Sequence, residues 1–281
     1  MRFTRSLFAY FAKNFFAPIG ILMTIYNLCK LGFSSLSEHS SIIFLIIILI
    51  SLIWAFKSSY KSKKISLKIN KRTKFKIFYG DLFSSNGAQV IPVNDYFDTH
   101  LGSGIVSERT VHGIFLSRFN GRLDDLRNKI DKELSKLDIQ PEEHKRKLVS
   151  NLPTKSYPLG TCIRIIDGQQ TYILVALTRF NNNEHVDVHD SEYLGIMCKM
   201  FEGINQLNNA LPVYFPLFGS GQSGFALTDM QLIHLMLQAA KMAERISVVS
   251  GLNLVLYSKN GTDKSINLRL IENSIKSWDL L

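Results

Sequence analysis

Two glycine-rich loops carry the residues best suited to hold a phosphate group. The first, LGSGIV over residues 101–106, comes shortly after an apolar run that ends at Asn94, and the second, FGSGQSGF, covers residues 218–225. Glycine permits positive φ and close backbone approach, so successive N–H groups can point at a diphosphate without a side-chain cation. A single G-x-G usually forms a plain turn, whereas two such loops at strand ends in one small domain indicate an anionic ligand.

Acidic and basic residues near strand ends are the next candidates for chemistry. Asp95 and Asp98 follow Asn94 closely and offer a base, although an Asp in a turn more often caps the backbone than acts as a catalyst. Arg179 and residues 181–183 follow another strand end. They either line the terminal group of a ligand or form an ordinary loop, and the sequence leaves both roles open.

The histidines and cysteines do not form a metal-ligand pattern. His185 and His189 stand four residues apart, but no adjacent Cys or Glu completes a site, which favours a surface loop. His112 serves either beside the first glycine loop or in a structural hydrogen bond. The three cysteines are widely spaced and form no C-x-x-C pair, which favours a reduced, cytosolic setting. We therefore expect no metal and no cofactor.

The elements that must position these residues alternate between strands and helices. Apolar runs predict strands at residues 75–79, 88–93, 160–166, 172–177, 212–215 and 252–257. Residues 192–207 and 228–248 have helical patterns, the second with Thr228 as its N-cap. This alternation predicts an α/β fold, a three-layer α/β/α arrangement with a mixed sheet, in which ligands bind beyond the carboxyl ends of the strands. Residues 118–150 are rich in charge and are expected to form an exposed helical insertion.

The positive charge of the chain is concentrated ahead of this globular part. Residues 1–80 contain 13 Lys or Arg and one acidic residue, whereas residues 81–281 contain 20 basic and 22 acidic residues. Two apolar runs, at about residues 15–31 and 40–56, are near the lower length limit for crossing a bilayer. Basic residues flank both outer ends, and the connector has none, so the positive-inside rule places both ends in the cytoplasm.

These features predict three segments. Residues 1–57 form an all-α transmembrane hairpin, residues 58–73 form a basic linker, and residues 74–281 form the globular domain. A cleaved signal peptide is disfavoured because Lys13 and Asn14 interrupt the first apolar run, which a second run soon follows. Buried core helices are a further alternative, as is nucleic-acid binding by the linker, where aromatic residues are sparse.

Four motifs, in this order along the chain, resemble those of the macro domain, a family that binds ADP-ribose. They are Gly80-Asp81-Leu82, VIPVN ending at Asn94, Gly102-Ser103-Gly104-Ile105 and the second glycine loop. The resemblance covers residues 74–281. It implies that Asp81 accepts a hydrogen bond from the adenine amino group and that the two loops enclose the diphosphate and the distal ribose. The implied binding residues are Asp81, Leu82, Asn94, Gly102, Ser103, Gly104, Ile105, Ser220, Gly221, Gln222, Ser223, Gly224 and Phe225.

One departure from the macro-domain pattern bears on catalysis. Hydrolytic members of that family usually carry a second Asn in an N-A-A-N run, whereas this chain reads Asn94-Asp95-Tyr96-Phe97. An aromatic residue thus stands where the second Asn would orient the distal ribose or a water. The resemblance therefore implies a binding module with no catalytic residue. A membrane-tethered ADP-ribosyl hydrolase is the alternative.

The whole chain resembles the membrane-bound effector of type II Thoeris antiphage systems. It shares with that family two transmembrane helices, a basic linker and a macro domain with the run NDYFDT. In that family a partner TIR-domain enzyme makes a histidine adduct of ADP-ribose, and the macro domain senses it. The resemblance implies oligomerisation, disruption of the bacterial inner membrane and abortive infection. It implies a multi-pass protein whose N-terminus and macro domain are cytoplasmic, and no nucleic-acid partner. Polar residues Asn14, Asn27 and Lys30 would then meet partner helices or line a pore.

Overall fold

The computed structural model of the chain describes residues 5–33, 37–59, 64–102, 105–144, 146, 152–181, 185–221, 224–243, 246–257 and 266–278. These residues divide into two compact units. The first contains the two N-terminal helices and residues 267–277, and the second contains the sheet and the helices that cover it.

The N-terminal unit is helical. Helix α1 spans Arg5–Gly32 and α2 spans Ser40–Ser59, and Phe11 meets Phe56 edge to face with the ring centroids 5.3 Å apart. Because this contact joins the beginning of α1 to the end of α2, the two helices form an antiparallel hairpin. Both are long and apolar enough to cross a bilayer, with mean hydropathies of 1.4 and 2.4 in their most apolar windows. Helix α1 begins well before the predicted residue 15 and carries Pro18 inside it.

The sheet unit contains nine strands and four helices among its described residues. The strands are β1 Lys64–Lys68, β2 Lys74–Gly80, β3 Ala88–Asn94, β4 Glu142–Glu143, β5 Lys155–Ser156, β6 Cys162–Asp167, β7 Gln170–Thr178, β8 Val213–Pro216 and β9 Leu252–Tyr257. The helices are α3 Val111–Ser117, α4 Leu123–Leu134, α5 Tyr193–Leu207 and α6 Asp229–Met242, and a last helix, α7 Leu268–Trp278, belongs with the N-terminal unit except for its final residue.

Seven of the strands form one mixed sheet in the order β1-β2-β9-β8-β3-β7-β6. The five central strands run parallel, whereas β1 and β6 pair antiparallel at the two edges. Helices cover both faces, so the predicted α/β class with a mixed sheet is confirmed. On one face α3 and α4 bury Phe115, Leu126 and Ile130 against Val93 and Leu174. Phe75, Phe201 and Phe215 stack edge to face in the second layer of the core, where α5 lies.

The predicted linker differs from the observed structure. Within residues 58–73 the segment Lys64–Lys68 forms β1, which pairs with β2 in register. Ile65 and Leu67 are buried, while the residues that alternate with them are exposed, namely Lys64, Ser66 and Lys68. The period-2 alternation is that of an edge strand, and the lysines that suggested a linker are typical of edges protected against further pairing.

Two predicted helical regions are shorter than expected. Among its described residues the charged insertion is helical only over α4, and after Pro141 the chain forms β4, which pairs with β5. Helix α6 ends at Met242 rather than at residue 248. Its N-terminus agrees with the prediction, because the Thr228 hydroxyl accepts from the backbone N–H of Gln231 in a capping box.

Candidate ligand site

The parallel strands bring the predicted binding loops to one edge of the sheet. Because β2, β9, β8, β3 and β7 are parallel and adjacent in that order, the segments that follow β2, β8, β3 and β7 leave from the same edge. Strands β8 and β3 are neighbours, so the segments that contain the two glycine loops start side by side. Asp81 lies two strands away from β8, at the end of β2. This order matches the extended shape of a nucleotide laid across the strand ends.

Asp81 caps a short 3-10 turn formed by Leu82–Ser84. Its carboxylate accepts from the Phe83 backbone N–H at 3.0 Å and from the Ser84 hydroxyl at 2.7 Å. Each carboxylate oxygen has a second acceptor direction, so the exposed side chain can still receive a further donor. Leu82 is buried in the core, which fixes the turn in place.

The first glycine loop is closed by its own backbone. Gly102 has φ +80 and its N–H donates to the Val106 carbonyl at 2.9 Å, while the Ile105 N–H donates to the Gly102 carbonyl at 3.1 Å. These two N–H groups are therefore engaged within the loop. Ile105 is buried in the core and anchors the loop there. The predicted binding residues Ser103 and Gly104 lie outside the described residues.

Two packed aromatic side chains hold the second glycine loop in place. Phe225 packs edge to face on Tyr193 with the centroids 5.0 Å apart, and the Tyr193 hydroxyl donates to the Phe218 carbonyl at 2.9 Å. Ser220 donates its hydroxyl to the Leu217 carbonyl at 2.8 Å. Gly221 is exposed, and a Cβ added there would meet nothing within 4 Å. Both ends of the loop are thus fixed, whereas its tip is open.

Gly224 makes the second loop approach the segment that follows β7. It has φ +82, and a Cβ at this position would stand 3.0 Å from Val186 and 3.3 Å from Val188. A side chain here would be both strained and crowded. The adjacent binding residues Gln222 and Ser223 lie outside the described residues.

Asn94 is used inside its own turn. Its amide donates to Asp98 Oδ2 at 2.8 Å and its side-chain oxygen accepts from the Asp98 N–H at 3.1 Å. Phe97, in the position of the missing second Asn, has φ 52 and is fully buried. The aromatic residue that stands in place of the second Asn therefore fills the core beneath the loop and does not face the site.

The Asp98 carboxylate is held in a buried ion pair. Arg146 Nη1 lies 2.7 and 2.8 Å from its two oxygens, and the guanidinium stacks 4.2 Å from the ring centroid of Tyr96. His112 Nε2 donates to the Asp98 carbonyl at 2.9 Å, and burial lowers the pKa of His112 to about 4. His112 is consequently neutral at physiological pH. Of its two predicted roles, the structural hydrogen bond is the one observed.

A cavity of about 550 Å³ lies at the ends of β3 and β7. Asp95, Tyr96, Arg179, Phe180 and Lys199 are among its lining residues. None of the described residues in the predicted binding set lines it. The sequence pointed to Asp95 only as a candidate base, although its place directly after a buried strand is the feature that puts it at this edge.

Asp95 is the unusual group in this cavity. It is 5% exposed, and its Oδ1 has no hydrogen-bond partner among the described residues. Burial raises the pKa of Asp95 to about 7, an effect that backbone N–H groups of Asp95 and Phe180 partly oppose, and the nearby Asp98 adds to the rise. A buried acceptor without a donor is costly, and a proton on the carboxyl reduces that cost.

Arg179 organises the segment after β7. Its Nη2 lies 2.9 and 2.8 Å from the two carboxylate oxygens of Glu192, and Asp187 is 3.9 Å away. The segment is thereby folded back onto the start of α5. His185 and His189 lie in it, and no group of three or more His, Cys, Asp or Glu side chains within the described part of the chain could hold a metal ion.

Comparison with known proteins matches this arrangement to one family. Residues 75–257 match the family model described as the macro domain of the Thoeris protein ThsA. The Thoeris protein ThsA of Bacillus amyloliquefaciens (strain Y2) is 26% identical to this chain over 249 residues, which cover 84% of this chain and 80% of that protein.

Solved structures agree on the fold. The Oceanobacillus iheyensis macrodomain with ADP is 15% identical and superposes with a TM-score of 0.52 over 76% of this chain and 97% of that one. The same macrodomain with MES bound gives a TM-score of 0.52 at 14% identity, covering 78% of this chain and all of that one. At these identities the likeness establishes the macrodomain fold.

Proposed function

This chain belongs to the Thoeris ThsA macro-domain family, and from that premise we propose that it is an antiphage effector whose macro domain binds an ADP-ribose-derived signal. The observation that carries the proposal is the placement of Asp81 and both glycine loops on one edge of the parallel sheet. A macrodomain of this fold has been solved with ADP, which contains the adenine and diphosphate that such an edge would hold.

We assign the ligand groups along this edge by the order of the strands. The adenine amino group bonds to Asp81 after β2, and the diphosphate lies between the loops after β8 and β3. The next strand in the sheet is β7, so the distal ribose and its substituent extend toward the cavity that Asp95 and Arg179 line.

The charges of that cavity support a histidine-ADP-ribose type of signal. The Asp95 carboxyl would accept a hydrogen bond from an ammonium or imidazole N–H, and Lys199 would offer positive charge to a carboxylate, whereas Arg179 is already paired with Glu192. A substituent with both a donor and a carboxylate therefore fits better than an apolar one. A partner TIR-domain enzyme would supply this molecule.

Binding without turnover is supported by the residues around Asn94. Phe97 occupies the core in place of a water-orienting Asn, and Asp98 is already paired with Arg146. One observation favours the alternative, a membrane-tethered ADP-ribosyl hydrolase. A pKa of about 7 suits Asp95 to act as a general base at physiological pH.

The helical hairpin supports a membrane output. Large apolar side chains of α1 and α2 are exposed along both helices, including Phe16, Ile21, Leu45 and Leu49. In water such a surface would be costly, whereas hydrocarbon accommodates it. We propose that signal binding promotes self-association of a multi-pass inner-membrane protein with a cytoplasmic macro domain, and that the assembly disrupts the membrane and aborts the infection.

Some polar hairpin residues remain available for such an assembly. Asn27 and Lys30 are exposed, whereas Asn14 donates to the Tyr10 carbonyl of its own helix at 2.8 Å. Asn27 and Lys30 are therefore better candidates than Asn14 for contacts with partner helices.

Calorimetric titration of the full chain in detergent micelles tests the proposal. ADP-ribose and its histidine adduct are each added, and the recovered ligand is analysed by chromatography. Tighter binding of the adduct with intact ligand recovered would support the sensor. Conversion of more than one equivalent of the adduct per protein would establish the hydrolase. Failure of both ligands to bind would overturn both proposals.

The membrane output is tested separately in vesicles filled with a self-quenching dye. Adding the histidine adduct to vesicles that contain the full chain should release dye, and Asp81→Ala should need about tenfold more adduct for the same release. Release that is independent of the adduct, or equal in Asp81→Ala, would contradict the proposed sensing step.

A further inference from the structure

One face of the β1–β2 pair is rich in lysine. Alternate residues of both strands are buried against the core, so the residues between them point to the other face of the sheet. The cross-strand pairs on that face are Lys64 with Phe78, Ser66 with Lys76 and Lys68 with Lys74. We call the surface formed by Lys64, Lys68, Lys74 and Lys76 the lysine face.

The turn between the two strands adds two further cations. Lys71 and Arg72 are both exposed in it. The Asn70 side-chain oxygen accepts from the Arg72 N–H at 2.9 Å, and the Asn70 amide donates to the Ile246 carbonyl at 2.8 Å. Residues 64–76 thus contain six basic residues and no acidic one. The turn therefore extends the lysine face with a fixed backbone.

The arrangement of these charges is unfavourable unless an anion lies over it. Lys68 and Lys74 are direct cross-strand partners, and like charges in that position destabilise a sheet. Both are exposed, and neither forms an ion pair with an acidic residue within the described part of the chain. A negatively charged partner bound to the lysine face would offset the repulsion.

Protection of the sheet edge accounts for the lysines of β1 but not for those of β2. Strand β1 is the edge strand, whereas β2 is paired on both sides, with β1 and with β9. Lys74 and Lys76 therefore protect no free edge. The positive-inside rule does not explain them either, because it counts basic residues near an apolar segment whichever face they occupy. A partner for the lysine face explains the lysines of both strands.

Anionic lipid headgroups are the partner that fits this face. A row of lysines on a sheet presents point charges to a layer of phosphates, and each cation near such a layer adds to binding. In the sequence, residues 60–63 alone separate β1 from α2, a helix apolar enough to cross a bilayer. Single-stranded nucleic acid fits less well, because its bases stack on aromatic side chains. Phe78 on this face already has the Lys64 ammonium 5.6 Å from its ring centroid.

We propose that the lysine face and its turn bind anionic lipid headgroups of the cytoplasmic leaflet. The face is a property of the sheet domain alone, whereas the supply of lipid rests on the proposed membrane function. The turn precedes the amino end of β2 and Asp81 follows its carboxyl end, about 20 Å away at the usual rise per residue. Lipid bound at the turn would therefore leave the ligand edge of the sheet accessible.

Acetylation of the full chain in lipid nanodiscs tests the lysine face. One set of discs contains phosphatidylcholine alone and the other also contains about 30% phosphatidylglycerol, and mass spectrometry follows each lysine at low conversion. We expect Lys68, Lys71 and Lys74 to react about fivefold more slowly in the anionic discs. Salt at about 1 M should remove the difference, because the screening length then falls to about 3 Å. Lys132, exposed on α4, is the control within the same molecule and should react equally in both discs.

Two charge-matched double variants test the residues of the face. Lys68→Gln with Lys74→Gln should remove most of the protection of Lys71 in the anionic discs. Lys132→Gln with Lys136→Gln removes the same charge in and just after α4 and should leave the protection of Lys71 unchanged. Equal loss of protection in both double variants would show a response to net charge and would overturn the assignment to this face.

Incorporation into the discs separates this inference from the proposed function. A chain that enters the discs but reacts equally in both kinds would overturn the lipid contact alone, whereas a chain that is not incorporated would overturn both. A single-stranded oligonucleotide is added to the phosphatidylcholine discs as the last arm. Protection of the same lysines by the oligonucleotide, with none from phosphatidylglycerol, would assign the face to nucleic acid and overturn the proposal.

Discussion

Arg146 Nη1 lies 2.7 Å from one carboxylate oxygen of Asp98 and 2.8 Å from the other, with the two side chains 3% and 0% exposed. This ion pair joins the charged insertion to the turn after β3. Neither charge reaches water, so each depends on the other to offset the cost of burial. The pair is therefore a structural requirement of the loop that leads to the first glycine motif.

Arg146→Met should destabilise the protein strongly, by about 3–5 kcal/mol, because it leaves the Asp98 carboxylate buried without its cation. Thermal unfolding of the full chain in detergent measures the change. The double variant Arg146→Met with Asp98→Leu removes both charges and should recover much of the loss. A single variant as stable as the wild type would show that the pair is solvated in solution.

Asp95→Asn should stabilise the protein in a pH-dependent manner. The unfolded side chain ionises near pH 3.8, whereas in the folded state burial keeps the proton on until about pH 7. The native carboxyl therefore lowers stability progressively between about pH 4 and pH 7, by up to about 4 kcal/mol above that range. The gain from Asp95→Asn should be small at pH 4 and largest at pH 8, as measured by unfolding at both values.

Asp124→Asn is the matched control for this experiment, because Asp124 is an exposed carboxylate on α4. Its effect on unfolding should be small at both pH values. A gain from Asp95→Asn that is equal at pH 4 and pH 8 would mean that the Asp95 carboxyl has an ordinary pKa in the folded protein.

The sequence sufficed for the central strands and for the starts of α5 and α6 because these depend on local patterns. Strand β9 has the predicted bounds, since a run that is apolar except for Asn253 follows Gly251, and Thr228 caps α6 as expected. Strand β1 was missed because its exposed lysines continue the basic composition of the preceding segment. Only pairing with β2 reveals that Ile65 and Leu67 face the core.

The environment of Asp95 could not be read from the sequence for a different reason. Burial raises the pKa of Asp95, whereas Phe180 and Arg146, which come from separate segments and meet it only in the folded domain, lower it. The type of side chain and its place after a strand were visible, but its desolvation was not. The same holds for the bond between Asn273 and Tyr10, which joins opposite ends of the chain.

Asp81→Ala should abolish discrimination between ADP-ribose and IDP-ribose, an analogue that carries hypoxanthine in place of adenine. In the wild type, a hydrogen bond from the adenine amino group to the Asp81 carboxylate should favour ADP-ribose by about tenfold. Ser84→Ala is the control, because it removes only the hydroxyl that donates to Asp81 Oδ2. Equal affinity for both ligands in the wild type would place the base elsewhere.

Gly221→Trp should weaken ADP-ribose binding by at least about tenfold without lowering stability. Gly221 is exposed in the second glycine loop, and a Cβ added there would meet nothing within 4 Å. An indole therefore fills ligand space rather than protein space. Val249→Trp is the control, since Val249 is 75% exposed in the turn that precedes the amino end of β9, away from the site. Unchanged affinity in Gly221→Trp would exclude this loop from the pocket.

The native cysteines allow the membrane topology to be tested without new labels. Cys29 is exposed in the last turn of α1, close to the connector that we place outside the cytoplasm. Burial raises the pKa of the Cys162 thiol to about 12 and also raises that of Cys198, so both react slowly with maleimides even when the reagent reaches them. A membrane-impermeant maleimide added to intact cells should therefore label the wild type, and Cys29→Ser should abolish the labelling. Permeabilised cells should show slow additional labelling of Cys198. Labelling of Cys198 in intact cells, or of Cys29 only after permeabilisation, would reverse the proposed orientation, because the sheet domain would then face outward.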